Sequence, residues 1–100
     1  MIPGMISKFV EGTIVASAGT INLLGGGGEV YCVTGTTQIN TIYPPLGPGQ
    51  NQVVYLIPTD GAVTLGTSGN ILAGVTLAQN RSAALFWLRR TQKWYIENGA

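Results

Sequence analysis

Gln52-Val53-Val54-Tyr55-Leu56-Ile57-Pro58-Thr59-Asp60-Gly61-Ala62-Val63-Thr64-Leu65 is the stretch that decides the fold. Its first half is a run of β-branched, aliphatic and aromatic residues, the types that fit a pleated and half-buried surface. Its second half alternates, with Val63 and Leu65 on one face and Thr64 on the other. Asp60-Gly61 lies between the two, and both residues tolerate positive φ, so the pair predicts a hairpin joining two strands. Val53–Ile57 carries a further message. It is apolar on both faces, and a strand apolar on both sides must be covered on both sides.

The same text recurs outward from this stretch. Short apolar runs predict strands over 13–17, 20–24, 29–34, 37–43, 52–58, 62–66, 82–88 and 93–97. The breaks fall at the tetraglycine Gly25–Gly28, at Thr34-Gly35, over Pro44–Gly49, at Asp60-Gly61, over Gly66–Gly69 and at Gln92. No stretch holds helical periodicity over the 11 or more residues such a reading needs. Arg90-Thr91-Gln92-Lys93 predicts a turn joining two strands that each carry a tryptophan, Trp87 and Trp94. The core faces are expected to hold Ile21 with Leu23, Val63 with Leu65, and Trp94 with Ile96. Seven or eight short strands at close spacing predict an all-β chain, a small antiparallel β-sandwich or jelly-roll-like domain over 13–100. Residues 1–12 read as an apolar arm, because Met1, Ile2, Met5, Ile6, Phe9 and Val10 surround the structure-breaking Pro3-Gly4 pair.

Composition narrows the function. One hundred residues make a single domain, and only 9% of them are charged, against an average near 25%. A surface so poor in charge is a solubility liability for a free monomer and is better explained if partner subunits cover part of it. Ala83–Leu88, like Val53–Ile57, is apolar on both faces, and in a small sandwich the outer face then predicts a subunit contact. The expected contact residues are Val54, Leu56, Phe86 and Leu88 from these strands, with Ile2, Met5, Ile6 and Phe9 from the arm.

Other classes fall away on chemistry. With a net charge of +1, five cations against four anions do not make the basic stripe that nucleic acid requires. No run approaches the length of a membrane span, and the N-terminus lacks the basic and long apolar regions of a signal peptide. There is no histidine to act as base for a serine or for Cys32. Glu11, Glu29, Asp60 and Glu97 do not cluster in sequence, so neither a two-carboxylate hydrolase nor an oxygen-ligand metal site is expected. No enzyme activity and no cofactor is predicted. Cys32 is expected as a small buried hydrophobe, the tetraglycine as a loop between strands, and Asn80-Arg81-Ser82 as a turn. The aromatics Tyr43, Tyr55, Trp87, Trp94 and Tyr95 are expected in core or interface, with stacking on a sugar as the alternative.

From Gly19 to Ile96 the chain resembles a β module of bacteriophage virion proteins. The likeness is carried by Val33-Thr34-Gly35-Thr36-Thr37-Gln38-Ile39-Asn40-Thr41-Ile42, by Val53–Ile57, by Asp60-Gly61-Ala62-Val63-Thr64-Leu65, by Asn70-Ile71-Leu72-Ala73-Gly74, by Leu85-Phe86-Trp87 and by Lys93-Trp94-Tyr95-Ile96. Such modules occur in tail-fibre and tailspike terminal regions and as small head-decoration proteins, usually as homotrimers. The resemblance implies a virion structural role on the capsid surface, with the chain itself and the major capsid protein or another virion protein as partners. It transfers no catalytic residue. If the chain is complete, it has no room for a stalk, which favours a capsid decoration or cement protein. The alternative is a tail-fibre or tailspike tip presented to a host glycan.

Overall fold

The computed structural model describes residues 9–97, and every regular element among them is a strand. Nine are present: β1 (Val15–Ala16), β2 (Thr20–Asn22), β3 (Val30–Thr34), β4 (Thr41–Tyr43), β5 (Gln52–Pro58), β6 (Val63–Leu65), β7 (Val75–Leu77), β8 (Ala83–Leu88) and β9 (Lys93–Glu97). The all-β expectation holds, and β5 and β9 span the residues predicted for them. β7 was missed. Its Val75-Thr76-Leu77 is too short to separate from the glycine-rich text around it.

The strands form two layers over one core. The first is a five-stranded sheet in the order β1-β3-β5-β8-β9. The second consists of the pairs β2-β4 and β6-β7, linked by a parallel bridge between Ile39 and Leu65. The chain reaches this arrangement by coiling. It passes three times through both layers, as β1 then β2, β3 then β4, and β5 then β6. Successive passes lie side by side in parallel: Val15 opposite Val33, Ile21 opposite Ile42, and Cys32 opposite Ile57. Parallel neighbours need a crossover of a dozen or more residues, and here each layer supplies the crossover for the other. The remaining ladders, β5-β8, β6-β7 and β8-β9, are antiparallel. Pairing in this sandwich is therefore mixed, where alternation and turn signals predicted an antiparallel one.

Asp60-Gly61 marks the difference. β5 and β6 flank it, yet they belong to different layers and share no ladder. The pair turns a corner of the coil instead of a hairpin. The Asp60 carboxylate accepts the Gly35 N–H at 2.8 Å, which ties the third corner to the second. The Ser17 hydroxyl accepts the Thr37 N–H at 2.9 Å, tying the second to the first. Thr59 adds its own N–H and hydroxyl to the Val33 carbonyl. Side chains at the corner thus continue the hydrogen bonding that the ladders carry along the strands.

The core is a single cluster contributed by both layers, including Tyr31, Val33, Val54, Leu56, Leu85, Trp87 and Trp94 from the first and Ile21, Leu23, Ile42, Val63, Leu65 and Leu77 from the second. No polar or charged residue is buried among the described residues. Burial of these side chains, at roughly 1.5–3 kcal/mol each, is the main force closing the sandwich. The expected pairs Ile21 with Leu23 and Val63 with Leu65 do point inward, while Ile96 packs partly buried against the cluster. Trp87 and Trp94 face each other across β8-β9, their rings 5.4 Å apart and tilted by 59°. The turn between them is the one predicted, with Gln92 at φ 56°.

The tetraglycine proves to be more than a loop. Gly26 and Gly28 close over the end of the buried Tyr31 ring, with Gly12 on its side, and a Cβ at Gly12 or Gly26 would strike that ring. The Tyr31 hydroxyl donates to the Gly28 carbonyl at 2.7 Å. Glycine is required there because backbone must touch an aromatic face.

Candidate functional site

The five-stranded sheet has two faces, and alternation sends one set of residues outward. On β5 these are Val53, Tyr55 and Ile57; on β8, Ala84, Phe86 and Leu88; on β9, Lys93, Tyr95 and Glu97. Register aligns them in rows across the strands. Val53, Phe86 and Tyr95 form one row, and Val30, Tyr55, Ala84 and Glu97 form the next. Phe86 and Tyr95 stack, with centroids 5.4 Å apart and planes 11° from parallel. Val53 is 48% exposed and Tyr55 39%. On β5, β8 and β9 the only charges of this face are Lys93 and Glu97, at opposite ends of the outermost strand.

This geometry sorts the residues expected to make subunit contacts. Phe86 and Leu88 do lie on the outward face, half-buried. Val54 and Leu56 do not. Both have no exposed surface at all and belong to the chain's own core. The correction follows from strand period: the run is apolar on both sides, so sequence alone could not say which set points in, and the outward set is Val53, Tyr55 and Ile57. Cys32 sits on the same outward face opposite Ile57 and is half-buried, where full burial was expected. Ile2, Met5 and Ile6 lie outside the described residues. Phe9, the first residue described, is 65% exposed.

A shallow apolar groove of about 400 Å³ adjoins one corner of this face. Val10, Leu46 and Val53 line it together with Gly25, Gly27 and Gly28. Val10 is held there by backbone, its carbonyl accepting the Glu29 N–H at 2.8 Å. The arm therefore enters the domain at the groove's rim, beside the outward face.

A second groove of about 540 Å³ lies between the β8–β9 turn and the loop before β5, and Arg89 and Arg90 line it. Among the described residues no group of three or more His, Cys, Asp or Glu side chains could hold a metal ion, and no helix is long and apolar enough to cross a membrane. Tyr43 is exposed, as is Tyr55, whereas both tryptophans are core.

No protein-family model, curated protein or solved structure matches this chain.

Proposed function

We propose that the chain is a non-catalytic structural protein of a bacteriophage virion. In this reading it assembles as a homotrimer through the outward face of the five-stranded sheet and decorates the head lattice. The observation that supports self-association best is the face itself. Rows of Val53, Phe86 and Tyr95 and of Val30, Tyr55 and Ala84 run across it, Val53 and Tyr55 exposed and the other four half-buried, with charge only at the rim. Apolar surface of this continuity on a small domain marks an interaction site, and aromatic residues at the centre of a patch are the usual anchors of protein interfaces. The trimeric state and the virion setting come from the resemblance to phage β modules.

The arm supplies the attachment in this proposal. Four anchors, Ile2, Met5, Ile6 and Phe9, would each contribute about 1.5–3 kcal/mol of burial before the cost of ordering them. Three arms on one trimer would turn a weak contact into a durable one. Light scattering at micromolar concentration tests the assembly directly. The expected mass is about three times the 10.5 kDa of one chain. A stable monomer under these conditions overturns the proposal.

A further inference from the structure

We propose that the groove between the β8–β9 turn and the loop ahead of β5 binds an anionic saccharide, one carrying a carboxylate, sulfate or phosphate group. Its lining is Pro48, Gly49, Asn51, Leu88, Arg89, Arg90 and Gln92. This goes beyond a structural role and depends on neither the trimer nor the virion setting.

The walls are locked together. Gln92 Nε2 donates to the Pro48 carbonyl at 2.9 Å and to the Arg89 carbonyl at 2.7 Å. Asn51 Oδ1 accepts the Arg89 N–H at 2.9 Å, and the buried Trp87 donates its Nε1–H to the same Pro48 carbonyl at 3.1 Å. Two loops far apart in sequence are thus held at a fixed separation before any ligand arrives, which lowers the ordering cost of binding. At about 540 Å³ the groove falls within the roughly 300–1,000 Å³ typical of small-molecule sites.

Charge identifies the ligand class. Arg89 and Arg90 are two of only five cations in the chain, and no carboxylate lines the groove. Among the described residues neither guanidinium donates a hydrogen bond, while the turn holds its shape through the Thr91 and Gln92 N–H groups on the Leu88 carbonyl and through both backbone groups of Arg89. Guanidinium forks match carboxylate, sulfate and phosphate oxygens bidentately. The rest of the lining suits a sugar ring. Asn51 Nδ2 and Gln92 Oε1 place a donor and an acceptor beside the cations, and Pro48 with Leu88 offers a small apolar patch for ring C–H groups. A nucleic acid fits less well, because no aromatic lines the groove for base stacking. An acidic peptide fits less well too, since the wall is a turn and presents no strand edge for backbone pairing.

The test is a titration of the isotope-labelled protein, following backbone amides by NMR at low salt. The probes are an oligogalacturonate, a heparin-derived tetrasaccharide, neutral maltotriose, inorganic sulfate, hexaglutamate and a short single-stranded DNA. At least one of the two anionic saccharides is expected to shift Gly49, Asn51, Arg89, Arg90 and Gln92 saturably, with maltotriose and sulfate far weaker. The double variant Arg89→Ala, Arg90→Ala, checked for an unchanged fold by its circular dichroism, should weaken that binding at least tenfold. The Arg89→Lys, Arg90→Lys variant keeps the charge but loses the forks and should fall between. The proposal is overturned if neither anionic saccharide moves these amides, or if the alanine variant binds as well as the parent. Equal or tighter binding of hexaglutamate or DNA also overturns it, leaving a general anion patch.

Discussion

Asn70 pairs with Ile42 as a neighbouring strand would, but with its side chain. Its Oδ1 accepts the Ile42 N–H at 2.9 Å, and its Nδ2 donates to the Ile42 carbonyl at 2.7 Å. Its backbone meanwhile serves β9, where the Asn70 carbonyl accepts the Trp94 N–H at 2.8 Å. One residue therefore joins the edge of the second layer to the last strand of the first. Replacing it with alanine leaves a backbone N–H of β4 without a partner and its carbonyl with one bond fewer. Each orphaned group costs about 1–3 kcal/mol. Urea unfolding of Asn70→Ala should show a loss of about 2–4 kcal/mol; a change below about 0.5 kcal/mol would mean that water replaces the amide without penalty.

The Ile42 carbonyl also accepts the Trp94 Nε1–H at 2.9 Å, in the buried core. Trp94→Phe keeps much of the ring and removes the donor, so it should cost about 1–3 kcal/mol beyond the packing change. Because both donors share one oxygen, the double variant with Asn70→Ala should depart from additivity by about 0.5 kcal/mol or more. Strict additivity in the cycle would show that the two bonds act independently.

Val53 and Val54 are neighbours with opposite environments, the first outward and the second without exposed surface. Val53→Glu should leave the fold and its melting cooperativity intact while splitting the proposed oligomer to single chains. Val54→Glu should abolish folding, since a buried unpaired carboxylate is among the costliest substitutions. Mass by light scattering and near-ultraviolet circular dichroism read the two outcomes separately. A Val53→Glu protein that keeps the parent mass would move the interface elsewhere.

Gly12 and Gly19 make a second contrast. A Cβ at Gly12 would meet the Tyr31 ring, while one at Gly19 would meet nothing within 4 Å. Gly12→Ala should lose about 1–3 kcal/mol through overpacking. Gly19→Ala should be neutral or gain up to about 1 kcal/mol by stiffening the unfolded chain. Thermal melts of the two variants decide the matter, and similar melting points would show that Tyr31 yields.

Removal of residues 1–9 should give a folded protein of unchanged oligomeric mass that no longer binds expanded capsid shells in co-sedimentation. Normal binding by the truncated chain, or failure to fold, would show that the arm belongs to the domain and does not serve as its attachment.

The sequence by itself determined the class of this protein and the place of most strands. β-Branched runs bounded by glycine and proline admit few other readings, and alternation marked Ile21, Val63, Leu65 and Trp94 as core because strand period is a local property. Tertiary structure alone decided which strands became neighbours. Asp60-Gly61 turns a corner between layers because parallel passes of one coil compete with a local hairpin for the same backbone bonds, and no nearest-neighbour signal records that competition. It also decided which side of Val53–Ile57 faces water, since a run apolar on both faces carries no phase. The Arg89–Arg90 groove was beyond sequence for the same reason. Its second wall, Pro48 to Asn51, lies some forty residues away and is brought opposite only by the antiparallel register of Gln52 with Trp87.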